Sequence, residues 1–127
     1  MPGQVYYEAT REAVLRRADG LVFVADSQAS RKEDNLSSWR DMQRHLAKMG
    51  HQLSAFPVVV QLNKRDLPDA LPVEEMKAML GGGQHPYFPA IALQGTGVPK
   101  TLQAVMRLVL ADVQRKISVK TKGAPAR

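Results

Sequence analysis

At 127 residues the chain has room for one domain with a modest core. Hydrophobic residues make up 44% and aromatics 6%, which excludes a disordered chain, and the lack of cysteine excludes disulfides, thiolate metal sites and a cysteine nucleophile. The formal net charge of +6 invites a nucleic-acid partner, but the 18 basic residues are interleaved with 12 acids and the one dense cluster is the last segment, RKISVKTKGAPAR, so none is expected.

In chain order, residues 6–17 (YYEATREAVLRR) read as a helix with Tyr7, Val14 and Ala18 on one face. GLVFVAD (20–26) is a nearly continuous apolar run ending in an acid, as in a strand buried on both faces of a parallel sheet. A helix over about 33–49 follows, with Trp39, Met42, Leu46 and Met49 three or four apart and Gly50 as terminator. Trp39 is assigned to the core. FPVVVQL (56–62) is the second strand. Pro72 opens a short helix, PVEEMKAML, that the Gly81-Gly82-Gly83 run ends. YFPAIAL (87–93) is a weaker third strand. A long helix over about 98–116 comes last, with Val98, Leu102, Val105, Val109 and Val113 on one stripe, ahead of a basic flexible tail at 117–127. Helices alternating with strands predict an α/β fold with a doubly wound, mostly parallel sheet of about three strands and four helices.

The chemistry sits in the turns that leave the strands. Asn63, Lys64 and Asp66 follow the second strand, where polar groups of a parallel sheet face a ligand crevice. A carboxylate there accepts hydrogen bonds from guanine's ring N–H and exocyclic amine. Adenine lacks that donor pair and leaves the acid unpaired. The asparagine donates to the base's N7, and the methylene stem of the lysine covers the ring. The loop AIALQGTGV (90–98) agrees: backbone N–H groups around Ala92 and Leu93 are placed to meet the guanine carbonyl, with Gly95 and Gly97 allowing a close turn. Asp26 ends the first strand, where it caps the next turn or meets the crevice indirectly. His45, His51 and His85 show no ligand spacing, so no metal site is expected.

Three stretches, PGQVYYEATREAVLRRADGLVFVADSQ (2–28), NKRDLPDALPVEEM (63–76) and GTGVPKTLQAVMRLVL (95–110), resemble the carboxyl-terminal two-thirds of a Ras-like small GTPase, most closely the bacterial MglA-type GTPases of gliding motility and cell polarity. The resemblance covers residues 1–116. It implies that Gly3 meets the γ-phosphate and Gln4 orients the attacking water in GTP hydrolysis. It gives Asn63, Lys64 and Asp66 the base-binding roles just argued and puts Ala92 and Leu93 at the base, with Leu93 in place of the lysine of eukaryotic relatives. The expected ligands are GTP and GDP with Mg²⁺, and the expected partners a roadblock-type, MglB-like activator, met through the region of Tyr6 and Tyr7, and polarity effectors.

No G-x-x-x-x-G-K-[ST] occurs in the sequence, and the switch I threonine of the family is missing too. Hence the fold is expected to be amino-terminally truncated, without P-loop or Mg²⁺ ligands, with negligible GTPase activity and weak nucleotide affinity by itself. Strand 20–26 is expected to become an unprotected sheet edge. With no run of membrane-span length and no signal-peptide pattern, the chain is expected in the cytoplasm without membrane insertion. The alternative is a catalytically inactive Ras-like interaction module.

Overall fold

A computed structural model describes residues 17–123. Strand β1 (Leu21–Asp26) leads through a 3-10 turn, Ala29–Arg31, into helix α1 (Lys32–Lys48). Strand β2 (Val58–Asn63), helix α2 (Val73–Met79), strand β3 (Tyr87–Pro89), a second 3-10 turn (Ala92–Gln94) and helix α3 (Val98–Gly123) complete the order. The strands form one parallel sheet in the order β1-β2-β3. Register runs from Leu21 opposite Val58 to Asp26 opposite Asn63, and from Val60 opposite Tyr87 to Leu62 opposite Pro89.

The alternation of β2 assigns the two faces. Val58, Val60 and Leu62 pack with Ala25, with Trp39, Met42 and Leu46 of α1, and with Met76 and Leu80. Each fully buried Val or Leu contributes about 1.5–3 kcal/mol of burial free energy. Trp39 is buried, and Phe23 meets it edge-on at 5.0 Å between centroids. Gln61 points to the other face, where its amide donates to Thr101 Oγ1 of α3 at 2.9 Å, and Thr101 Oγ1 in turn donates to the Gly97 carbonyl. That chain satisfies two buried polar side chains. At Gly20 a Cβ would lie 2.5 Å from Val109 Cγ2, so α3 closes down on the backbone leading into β1. Helices thus cover both faces of a parallel sheet, the doubly wound α/β arrangement expected.

Gly50 ends α1 in the left-handed region at φ +83°, and the His51 N–H bonds back to the Leu46 carbonyl. The Gly81–Gly83 run is a defined turn: all three residues have positive φ, and Tyr87 Oη accepts from the Gly83 N–H and donates to the Leu80 carbonyl.

The helix expected at 6–17 lies outside the described residues except for Arg17, which is helical. Two details differ from the sequence reading. The third strand stops at Pro89, because Ile91 pairs antiparallel with Thr96 and turns the chain into the 3-10 segment. Helix α3 continues to Gly123, and its apolar stripe divides: Thr101 is buried and Val105 and Val109 half-buried, whereas Leu102 and Val113 are exposed with Met106, Leu110 and Ile117. The edge expected for strand 20–26 is present among the described residues, with β1 paired on one side only.

Candidate functional site

β1 and β2 run parallel, so their carboxyl ends lie together, and Asp26 and Asn63 are register partners. β1 is fastened there by Asn35 of α1, which is buried. Asn35 Oδ1 accepts from the Asp26 N–H at 3.2 Å, and its Nδ2 donates to the Asp26 carbonyl at 2.7 Å. The chain leaving β1 is stitched to the segment that leaves β2 by Ser27 N–H to the Asn63 carbonyl and by Leu71 N–H to the Ser27 carbonyl.

The turn after β2 begins at Lys64, whose φ of +64° makes it the one non-glycine residue in the left-handed region among the described residues. That conformation costs roughly 1–2 kcal/mol for a residue with a Cβ. It is held by the Leu67 N–H to the Lys64 carbonyl and by the Arg65 N–H to the Ala90 carbonyl. The Arg65 guanidinium also donates to the Leu71 carbonyl. Strain of this kind, stabilised by its surroundings, marks sites where a side chain has to be aimed.

Lys64 Nζ donates to Asp26 Oδ2 at 3.0 Å, and the Gln28 N–H donates to Asp26 Oδ1 at 3.0 Å. Asp26 therefore caps its own turn and reaches the crevice through the lysine. Burial opposes its ionisation. The Gln28 N–H, the Lys64 ammonium and the more distant Arg31 guanidinium outweigh that and hold its carboxyl below the usual carboxylate range.

The loop after β3 faces this turn. Asn63 Oδ1 accepts from the Ala92 N–H at 2.9 Å, which ties the two loops and leaves the asparagine's Nδ2 to donate elsewhere. Gly97 makes the loop possible: at φ +80° a Cβ would lie 2.2 Å from the Pro89 carbonyl oxygen.

Between the loops is a cavity of about 480 Å³ lined by Asn63, Lys64, Asp66, Leu67, Ile91, Ala92 and Leu93. Its volume suits a small ligand. It contains all five sequence-assigned base-contact residues: Asn63, Lys64, Asp66, Ala92 and Leu93. Asp66 and Lys64 are exposed, and Leu93 presents its whole side chain. The other two assigned positions, Gly3 and Gln4, lie outside the described residues. Leu67 and Ile91 line the same cavity without having been singled out from sequence. The clamp by Asn35 was likewise not singled out, although an asparagine inside a helix nine residues beyond a strand's last acid is a signal that could have found it. Among the described residues no group of three His, Cys, Asp or Glu side chains is placed to hold a metal ion. No helix among them is long and apolar enough to cross a membrane.

No protein-family model matches the chain. It is 46% identical to the mutual gliding-motility protein MglA of Myxococcus xanthus (strain DK1622) over 115 residues, covering 91% of this chain and 59% of that protein. It is 31% identical to the Ras-related protein Rab-7a of Dictyostelium discoideum over 109 residues, 83% of this chain and 53% of that one. With ADP-ribosylation factor-like protein 6 of Caenorhabditis briggsae it shares 30% identity over 111 residues, 81% of this chain and 56% of the relative. The chain therefore spans between half and three-fifths of these relatives' lengths. Taken with the parallel sheet and the loops at its carboxyl edge, these likenesses place the chain in the Ras-like GTPase family, among its MglA-type members.

Proposed function

We propose that this chain supplies the guanine-recognition part of an MglA-type molecular switch. The observation that carries the reading is the single cavity that gathers Asn63, Lys64 and Asp66 from the turn after β2 with Ala92 and Leu93 from the loop after β3. The Asp66 carboxylate accepts the paired N–H donors of guanine's edge, and the Asn63 amide donates to the base. The Lys64 stem and the Leu93 side chain supply apolar cover. The Ala92 N–H is engaged by Asn63, so its use for the guanine carbonyl requires that bond to be shared or exchanged.

In the whole switch, GTP and GDP with Mg²⁺ are the ligands, Gly3 serves the γ-phosphate and Gln4 positions the hydrolytic water. A roadblock-type, MglB-like activator and polarity effectors are the partners, and the cytoplasm the place of action. A second reading, an interaction module without hydrolysis, draws on the exposed apolar line Leu102, Met106, Leu110, Val113 and Ile117 of α3.

The test is base choice. Guanosine, xanthosine and adenosine monophosphates are titrated into the 127-residue chain and followed by amide chemical shifts. The native chain is expected to favour guanosine monophosphate, and Asp66→Asn to move the preference to the xanthosine form. An unpaired acid or amide costs about 1–3 kcal/mol, a change of roughly fivefold to 150-fold in the ratio. A ratio untouched by Asp66→Asn would defeat the base reading and leave the interaction module.

A further inference from the structure

The strained lysine is held by a partner from another strand, and that partner is fixed on every side. Asp26 has both of its backbone groups bound by Asn35, one carboxylate oxygen bound by the Gln28 N–H, and the other 3.0 Å from Lys64 Nζ. A lysine stem has four rotatable bonds and otherwise samples many rotamers at an open cavity wall. From this geometry we infer that Asp26 is a positioning residue for base recognition: its ion pair with Lys64 fixes the lysine stem as a wall of the cavity before any ligand arrives. The inference rests on the reading of Asn63, Lys64 and Asp66 as the base-binding turn.

Three features favour positioning over a surface pair of no consequence. Asp26 is only 21% exposed at its side chain, unlike the carboxylates of most surface pairs here. Its register with Asn63 sets it beside the residue that precedes Lys64, so sheet geometry fixes the distance across the gap. The left-handed turn at Lys64 is what allows that side chain to return across the strand ends. A wall ordered in advance lowers the entropy lost on binding, so the pair acts on affinity and leaves the choice of base to Asp66.

A double-mutant cycle in the 127-residue chain tests this, with guanosine monophosphate as the probe. Asp26→Asn keeps the oxygen that caps Gln28 and removes the charge; Lys64→Met keeps an apolar stem and removes the ammonium. Each is expected to weaken binding by about threefold to tenfold, and the double variant to bind no more weakly than either single one. The guanosine-to-adenosine ratio should stay constant throughout. NMR order parameters of the Lys64 side chain should be high in the native chain and drop in Asp26→Asn without ligand, a change that a merely structural role would not confine to this residue. Should Asp26→Asn fail to fold, Lys64→Met carries the test through the same ratio and affinity. Independent, additive losses would overturn the inference, as would unchanged affinity in either variant. If Asp26→Asn weakens binding but Asp66→Asn leaves base preference unchanged, the base reading falls and the inference with it. If Asp66→Asn shifts the preference while Asp26→Asn does nothing, the inference alone is lost.

Discussion

β1 and β2 have the same length and are both mostly apolar, LVFVAD against VVVQLN, yet they live in different surroundings. In β2 every residue from Val58 to Leu62 is buried. In β1 only Ala25 is buried and Val24 is 56% exposed. A continuous apolar run specifies a strand, but its neighbours decide how much of that strand leaves water. The two strands pair along their whole length, and at their carboxyl ends Asn63, proposed for base recognition, lies opposite Asp26, which bonds the Lys64 ammonium. A buried central strand leads into the turn proposed to read the base, and a half-covered strand is clamped by Asn35 at its carboxyl end.

The contrast is broken most forcefully inside β2. Leu62→Ala should destabilise the chain by about 2–5 kcal/mol, since Leu62 is fully buried against both Ala25 and the α1 side chains. Urea unfolding followed by circular dichroism measures it. A loss below about 1 kcal/mol would mean that the site refills by collapse and that β2 is less rigid than its burial implies.

Locking at the strand end is tested by Asn35→Ala. It leaves the Asp26 N–H and carbonyl without their side-chain partner, at a cost of about 1–3 kcal/mol. Hydrogen exchange should accelerate at Asp26 and Ser27 and remain slow along β2. Equal acceleration in both strands would show that the clamp serves the sheet as a whole.

How far all this was legible in sequence depends on distance along the chain. β1, β2 and α1 followed from local apolar period, and the Asn63–Asp66 turn from residue type at the end of a strand. The third strand was overextended because Pro89 and the Ile91–Thr96 pairing act over a few residues that still look apolar. On α3 the period identified apolar positions but not which of two apolar lines the sheet would take. The Lys64–Asp26 pair joins residues 38 apart through strand register, and lysine is not a residue that announces a left-handed turn.

Acidity sharpens the comparison from the two flanks of β2. His85, packed edge-on against Trp39 and Tyr87, has its imidazole pushed down by burial from the ordinary 6.5. The unfolded chain therefore takes up that proton first, and stability falls as pH drops from 6.5 through the lowered folded value. His85→Asn should remove that part of the pH dependence. Asp26 acts with the same sign in a more acid window: its folded carboxyl lies below 3.8, so its contribution is intact well above 3.8 and lost only as the medium becomes more acid. Thermal midpoints should show the His85 step first. A single step below pH 4 would remove the distinction.

The smallest effect is expected at the exposed middle of β1. Val24 is apolar, more than half exposed and on an edge that no described strand covers, so Val24→Lys should alter unfolding free energy by no more than about 0.5 kcal/mol. Its consequence lies between molecules instead: a lysine on an open edge disfavours strand pairing between copies, so self-association at rising concentration should decrease in sedimentation velocity. A destabilisation approaching that of Leu62→Ala would contradict the exposure of Val24. It would mean that in solution this edge is covered, and the difference between the two strands would shrink to one of sequence.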